Sequence, residues 1–294
     1  MTASIDTDVQ DLGRRQPEWQ PWLAVVQEVL NEASNAQWEL FIPDRTESLE
    51  NRAPLLTGAT IAIESNSLRR WTERLLRTAS RCGTEKMATL KDVLQETTDD
   101  PLFLFKAALC LDESALKQIA VNCHADPDAF QAVTALLPVP FLHACNRRWA
   151  RSLPHGWVEG YCPICGGWPA IAEVRGIDRS RYFRCGRCAG EWQVNCLVCA
   201  YCGMTDHEQL ISLVPEQGGN TRVIEACKRC LGYVKTFTTL QATPAARVML
   251  DDLGSVDLDI VAVEHGYKRP PGPGYRFSVT VIDKITDKFS FWRA

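Results

Sequence analysis

The chain has 294 residues, 46% hydrophobic and 23% charged, proportions that exclude a mainly disordered polypeptide and allow one or two core-bearing domains. Its net charge of −4 disfavours a protein that holds nucleic acid by neutralising phosphates. The outlier is cysteine, with 13 residues, nine of them between Cys162 and Cys230.

The N-terminus, MTASIDTDVQDLGRRQPEWQPW, has no basic stretch followed by an apolar one, so no secretory signal is read. The Arg14–Arg15 pair runs into polar QPEWQPW and is taken as solvated. The longest apolar-leaning run, Ala129 to Asn146, is interrupted by Gln131, Pro138, Pro140 and His143, so no membrane insertion is expected. A soluble, cytoplasmic protein follows. In a reducing compartment clustered cysteines point to metal or redox chemistry rather than disulfides.

Residues 1–155 read as a helical domain. Trp22, Val26, Val29 and Leu30 recur at helical spacing, as do Leu68, Trp71, Leu75 and Ala79. Leu116, Ile119 and Ala120 follow Asp112 as N-cap, and Pro101 opens the helix of Leu102 to Leu111. Residues 127–152 form one or two helices broken at Pro138 and Pro140. Cys82, Cys110, Cys123 and Cys145 show no paired spacing and are expected as small buried hydrophobes.

From Gly156 the texture changes to short β-rich runs bounded by turn residues: WPAIAEV, RYFRC, EWQVNC, RVIEAC and YVKTFTTL. Two ribbons are expected, 156–196 and 197–241. The stretch 242–294 adds a helix through Ala245, Val248, Leu250 and Leu253. A Pro/Gly-rich loop, KRPPGPGY, follows, and then a tail, RFSVTVIDKITDKFSFW, that reads as a strand or hairpin.

Four C-x-x-C pairs carry the chemistry: Cys162/Cys165, Cys185/Cys188, Cys199/Cys202 and Cys227/Cys230. Two intervening residues let a tight turn aim both sulfurs at one ion. The gaps between pairs suffice for a hairpin that returns the next turn to the same ion, so the pattern is a tetrathiolate site twice over. Gly166 and Gly203, each following a second cysteine, suit knuckles that need positive φ. Cys196 makes a third equal step in CLVCAYC. Pairing Cys196 with Cys199 would leave Cys202 spare. Pairing Cys199 with Cys202 is preferred because CAYCG matches CPICG. The ferredoxin pattern fails, since position 206 is Asp. Four thiolates suit Zn²⁺ and mononuclear iron alike, and leave no open position for hydrolysis.

Elsewhere catalytic signals are sparse. Five histidines (124, 143, 155, 207 and 265) have no triad or open-zinc spacing, and neither a P-loop nor G-x-G-x-x-G occurs. His207 is expected on the surface and His155 at a hinge. A binding protein is favoured over an enzyme. Arg175, Arg179, Arg181, Arg184 and Arg187 read either as a solvated hairpin edge or as a docking surface for an acidic partner. Residues 156–241 hold nine basic and eight acidic side chains, too balanced for a phosphate-tracking surface.

The segments YCPICGGWPAIAEVRG, RYFRCGRCAGEWQVNCLVCAYCG and EACKRCLGYVKT resemble the formate dehydrogenase accessory protein family, FdhE, most densely over 155–270. FLHACNRRWA extends the likeness into the helical region. The resemblance implies a multidomain α+β fold: an N-terminal all-helical domain followed by two tandem rubredoxin-like or zinc-ribbon-like modules. It implies a chaperone-like maturation factor that binds the catalytic subunit of respiratory formate dehydrogenase. Two iron ions would sit in mononuclear tetrathiolate sites, one on Cys162, Cys165, Cys185 and Cys188, the other on Cys199, Cys202, Cys227 and Cys230. Zinc is the alternative occupant, a rubredoxin-like electron carrier the alternative function, and a homodimer is left open.

Overall fold

In the computed structural model, residues 2–44, 52–91, 93, 100–153, 156–214 and 221–284 are described. The helices and strands run α1 (Thr2–Arg15), α2 (Gln20–Ala33), β1 (Thr60–Ile63), α3 (Ser65–Cys82), α4 (Pro101–Cys110), α5 (Glu113–Asn122), α6 (Pro127–Thr134) and α7 (Val139–Trp149). Then come β2 (Pro169–Arg175), β3 (Ser180–Cys185), β4 (Glu191–Val194), β5 (Leu210–Leu213), β6 (Arg222–Cys227), β7 (Tyr233–Thr239), α8 (Ala245–Leu253), α9 (Val256–Glu264) and β8 (Thr280–Asp283). Helices thus occupy the N-terminal part and the cysteine-rich strands the C-terminal part.

Two compact units interleave along the chain. One comprises Trp19–Arg45, Gly58–Phe141 and Ser278–Ala294; the other Met1–Glu18, Thr46–Thr57 and Leu142–Phe277.

The helical unit forms where the sequence periodicity places it. α3 buries Leu68, Trp71, Leu75 and Ala79, and Trp71 donates its indole N–H to the Leu137 carbonyl at 2.9 Å. Phe105 meets Phe141 edge-on at 5.8 Å. Starts are set by aspartates: Asp100, Asp112 and Asp126 accept from the N–H groups of Phe103, Ala115 and Ala129. The Ala129 N–H holds the Asp126 carboxyl below its ordinary pKa. Pro101 and Pro127 occupy first-turn positions that have no N–H to lose. The expected break falls between α6 and α7, with Pro138 in the gap and Pro140 in the first turn of α7. One short strand interrupts this otherwise helical region: β1 pairs in parallel with β8, Ile61 opposite Val281. The tail expected as a strand or hairpin therefore contributes a strand to residues far upstream. Of the four scattered cysteines, Cys123 and Cys145 are buried, but Cys110 is half-buried and Cys82, the last residue of α3, is exposed.

The second unit is built on one six-stranded sheet in the order β4-β3-β2-β7-β6-β5. Each ribbon is an antiparallel meander, and the two are joined by parallel pairing of β2 with β7, Ile171 opposite Lys235. The five strands expected from sequence are all present; β5, the short LISL run, is an addition to them. The sheet's core joins Ile171, Ile224, Ala226, Tyr233 and Phe237 to Val248 of α8 and Leu258 and Ala262 of α9.

Two charged networks lie within this unit. Glu173 is fully buried and accepts from Arg184 at 2.9 Å and Arg175 at 2.6 Å. Arg181 is paired with Glu225. Three of the five arginines read as a solvated or docking edge thus serve inside the unit: the hairpin lies in mid-sheet, and Arg181 and Arg184, three residues apart and so on opposite faces of β3, each meet a carboxylate there. Lys235, also fully buried, meets Asp252 at 2.8 Å and Asp259 at 2.7 Å, and Arg269 meets Asp252 at 2.6 Å.

Candidate metal centres

Four turns of one design carry the eight cysteines. In the first, Gly166 N–H donates to the Cys162 carbonyl and Cys162 N–H to the Gly167 carbonyl, both at 2.9 Å. Ala189 with Cys185, Gly203 with Cys199 and Leu231 with Cys227 repeat the first bond, and Gly190, Met204 and Gly232 repeat the second. The residue after each second cysteine is left-handed: Gly166 φ 65°, Ala189 56°, Gly203 68° and Leu231 57°. Glycine takes that conformation without a Cβ clash. Sequence reasoning found the two glycine turns. Ala189 and Leu231 adopt the same φ with no compositional signal.

The turns converge in two sets. Within each, the four Sγ atoms lie within 4.8 Å of one another. In the first cluster Cys162 is 3.4 Å from Cys188 and Cys165 is 3.4 Å from Cys185. In the second, Cys199 is 3.6 Å from Cys230 and Cys202 is 3.7 Å from Cys227. A metal–sulfur bond of about 2.3 Å gives a tetrahedron with edges of about 3.8 Å, so each cage is the size of one thiolate-bound ion. Backbone N–H groups of Ile164, Arg187, Gly190, Tyr201 and Gly232 point at the sulfurs at 3.3–3.5 Å. Such bonds favour the thiolate form that a metal needs.

Surroundings distinguish the two. All four sulfur residues of the first cluster are buried. Burial pushes the Cys162 and Cys188 thiols up, while hydrogen bonds from Cys162 and Cys185 hold Cys165 down. Several thiolates cannot share so dry a space without a cation. Leu55 and Leu56 donate backbone N–H groups to Pro163 and Ile164 over the first turn. His143, on α7 within electrostatic reach of Cys165, is pushed by burial and by Arg147 to about 4 and is neutral near pH 7. This is the FLHACNRRWA segment. The second cluster is more open: Cys202 is exposed and Cys230 half-buried. Burial raises the Cys199 and Cys230 thiols there too.

The KRPPGPGY loop touches both clusters. Lys268 N–H donates to Leu231 and Tyr275 N–H to Gly166, at 2.8 and 3.0 Å. Trp168, just past the first turn, meets Tyr201, inside the third, edge-on at 5.1 Å. That contact has no periodic signature. Cys196 stands outside both clusters, exposed, its Sγ 3.9 Å from the Arg179 carbonyl. His207 is exposed, and His155 lies outside the described residues. No helix among the described residues is long and apolar enough to cross a membrane.

Two four-cysteine cages in one sheet, each able to hold a metal ion, define the class of this protein. Residues 194–273 match the family model for the FdhE C-terminal domain. A protein FdhE homolog from Pseudomonas aeruginosa is 34% identical over 152 residues, 46% of this chain and 49% of the relative. One from Haemophilus influenzae is 25% identical over 270 residues, 89% and 83% of the two chains. Protein FdhE from Escherichia coli is 31% identical over 117 residues, 39% of this chain and 37% of the relative. The Pseudomonas aeruginosa and Escherichia coli matches thus each span less than two thirds of the relative. The crystal structure of the FdhE protein from Pseudomonas aeruginosa superposes with a TM-score of 0.60 at 21% identity, covering 94% of this chain and 95% of that one, and shows the same fold. The family that the sequence resembles, FdhE, is thus the one whose model, relatives and solved structure this chain matches.

Proposed function

We propose that this chain is a cytoplasmic accessory protein that binds the catalytic subunit of respiratory formate dehydrogenase during its maturation, and is not itself an enzyme. The observation that carries this reading is the pair of closed four-cysteine cages in a chain similar to FdhE proteins. A cage with four protein sulfurs has no position for a substrate or water, so the sites shape a binding face rather than a hydrolytic centre. Cys162, Cys165, Cys185 and Cys188 would hold one mononuclear iron within module 156–196. Cys199, Cys202, Cys227 and Cys230 would hold the second within 197–241. Each ion, when bound, neutralises the thiolates and adds folding energy to a ribbon with little apolar area of its own.

Anaerobic purification without chelator, alone and with the catalytic subunit, tests the reading. About two iron per chain with thiolate charge-transfer bands, and a recovered complex, are expected. Two zinc and no colour would leave the ribbons purely structural. Recovery of no complex from cells making the dehydrogenase would overturn the accessory role. The openness of the second cluster favours one alternative, a rubredoxin-like electron carrier. Reversible one-electron chemistry in the isolated protein would support that alternative, and redox silence would end it.

A further inference from the structure

The first ribbon ends in β4, which stands at one end of the six-strand order. The register tells which of its backbone groups face outward. Cys185 N–H donates to the Gly190 carbonyl at 2.9 Å, and Arg184 then lies opposite Glu191, Phe183 opposite Trp192 and Tyr182 opposite Gln193. Bonded and non-bonded pairs alternate along an antiparallel ladder. Trp192 and Val194 therefore direct their N–H and C=O groups at β3, and Glu191 and Gln193 direct theirs away from it.

A groove of about 540 Å³ is lined by β4, from Glu191 to Val194, together with Leu153, Trp157 and Val158. Val158 is 72% exposed. Arg151 also lines it and has no carboxylate partner among the described residues. Glu191, by contrast, is already held by Arg175 and Arg184. The uncompensated charge of the groove is thus positive.

The molecule itself shows what this kind of edge accepts. β4 and β7 are the closing strands of their ribbons, each following the ribbon's second cysteine pair. On the side away from β6, β7 takes β2 in parallel. The open side of β4, away from β3, is the matching one.

We propose that β4 and its groove dock an extended, acid-bearing segment of a partner protein, added as a parallel strand. Its backbone meets Glu191 and Gln193, its apolar side chains rest on Leu153 and Val158, and a carboxylate reaches Arg151. The inference rests on the accessory-protein reading for its partner, the formate dehydrogenase catalytic subunit, and locates the contact.

Two variants test it in the full-length, metal-loaded chain. Gln193→Pro removes one outward N–H on an edge strand, where proline is tolerated. Arg151→Glu reverses the groove's charge. The probes are the catalytic subunit and ten-residue peptides alternating valine with glutamate, or with lysine in its place. Metal content and thermal midpoint check folding. Tenfold or greater weakening of subunit and glutamate-peptide binding by Gln193→Pro is expected, with protection of the Gln193 amide from hydrogen exchange in the complex. Arg151→Glu should weaken the glutamate peptide and strengthen the lysine one, and still decides the matter if the proline variant fails to fold. Unchanged affinity in the folded variants, or a Gln193 amide that exchanges freely in the complex, overturns the proposal. So does a dimer of this chain that pairs β4 with β4. If wild type binds glutamate peptides at β4 but never the subunit, the accessory reading fails and the docking edge stands. If it binds neither, the docking edge fails.

Discussion

Leu231 and Ala189 sit where glycine would be expected. Both are left-handed, at φ 57° and 56°, a conformation that costs a residue with a Cβ roughly 1–2 kcal/mol. Glycine's greater freedom in the unfolded chain takes back part of that. Leu231→Gly is therefore expected to stabilise the second ribbon by up to about 1 kcal/mol, read from the denaturation midpoint of the metal-loaded protein. Leu231 is the better choice of the two because its side chain is 47% exposed while Ala189 is buried. A loss of stability would mean that the leucine side chain contributes more than the turn costs. At this scale the eight cysteines that gather into the two clusters were legible, since C-x-x-C spacing follows directly from the geometry of a turn. The partners of the arginines were not. Glu173 is the one charge in WPAIAEV, and nothing local says that Arg184 reaches it.

With an ion in its cage, as proposed, each ribbon would be an element whose stability depends on that ion. The first cage is sealed, with Leu55 and Leu56 bonded over its opening turn; the second presents Cys202 to solvent. A chelator is expected to remove metal in two phases, from the second cluster first. Cys202→Ser should abolish the fast phase and leave the slow one. A single phase, or loss from the first cluster first, would show that exposure does not govern release. Most elements were readable from sequence because their signals are local: Asp112 before α5 and Pro101 at the start of α4, the apolar stripe of α3, the β-rich runs of β2 and β7 bounded by turn residues. What escaped depends on distant segments. β1 and β8 pair across more than two hundred residues, and β5 is four residues that pair with β6 and lay Ile211 and Leu213 against the sheet's core. The parallel β2–β7 seam that makes one sheet of two ribbons leaves no local trace at all.

At the scale of the molecule, the Lys235–Asp252–Asp259–Arg269 network ties α8, α9 and the loop after them to β7. Burial opposes charge on Asp252, yet Arg269 and Lys235 hold its carboxyl below the ordinary value of 3.8. A depressed folded pKa contributes stability that is complete above the unfolded value and is lost as pH falls through the folded one. Asp252→Asn is thus expected to cost about 1.5–3 kcal/mol at pH 7. That gap from wild type should close as the pH drops below about 4, and a gap that persists there would assign the loss to packing instead. The seam between the ribbons also gives the sheet a polarity. Because β2 lies parallel on β7, the ribbons follow one another by translation and not by a two-fold turn. One end of the sheet is a closing strand and the other an opening strand, as in a repeat that can be lengthened. Tandem duplication of a single ancestral ribbon would produce this arrangement without reversing any strand, and a third copy would join in the same phase.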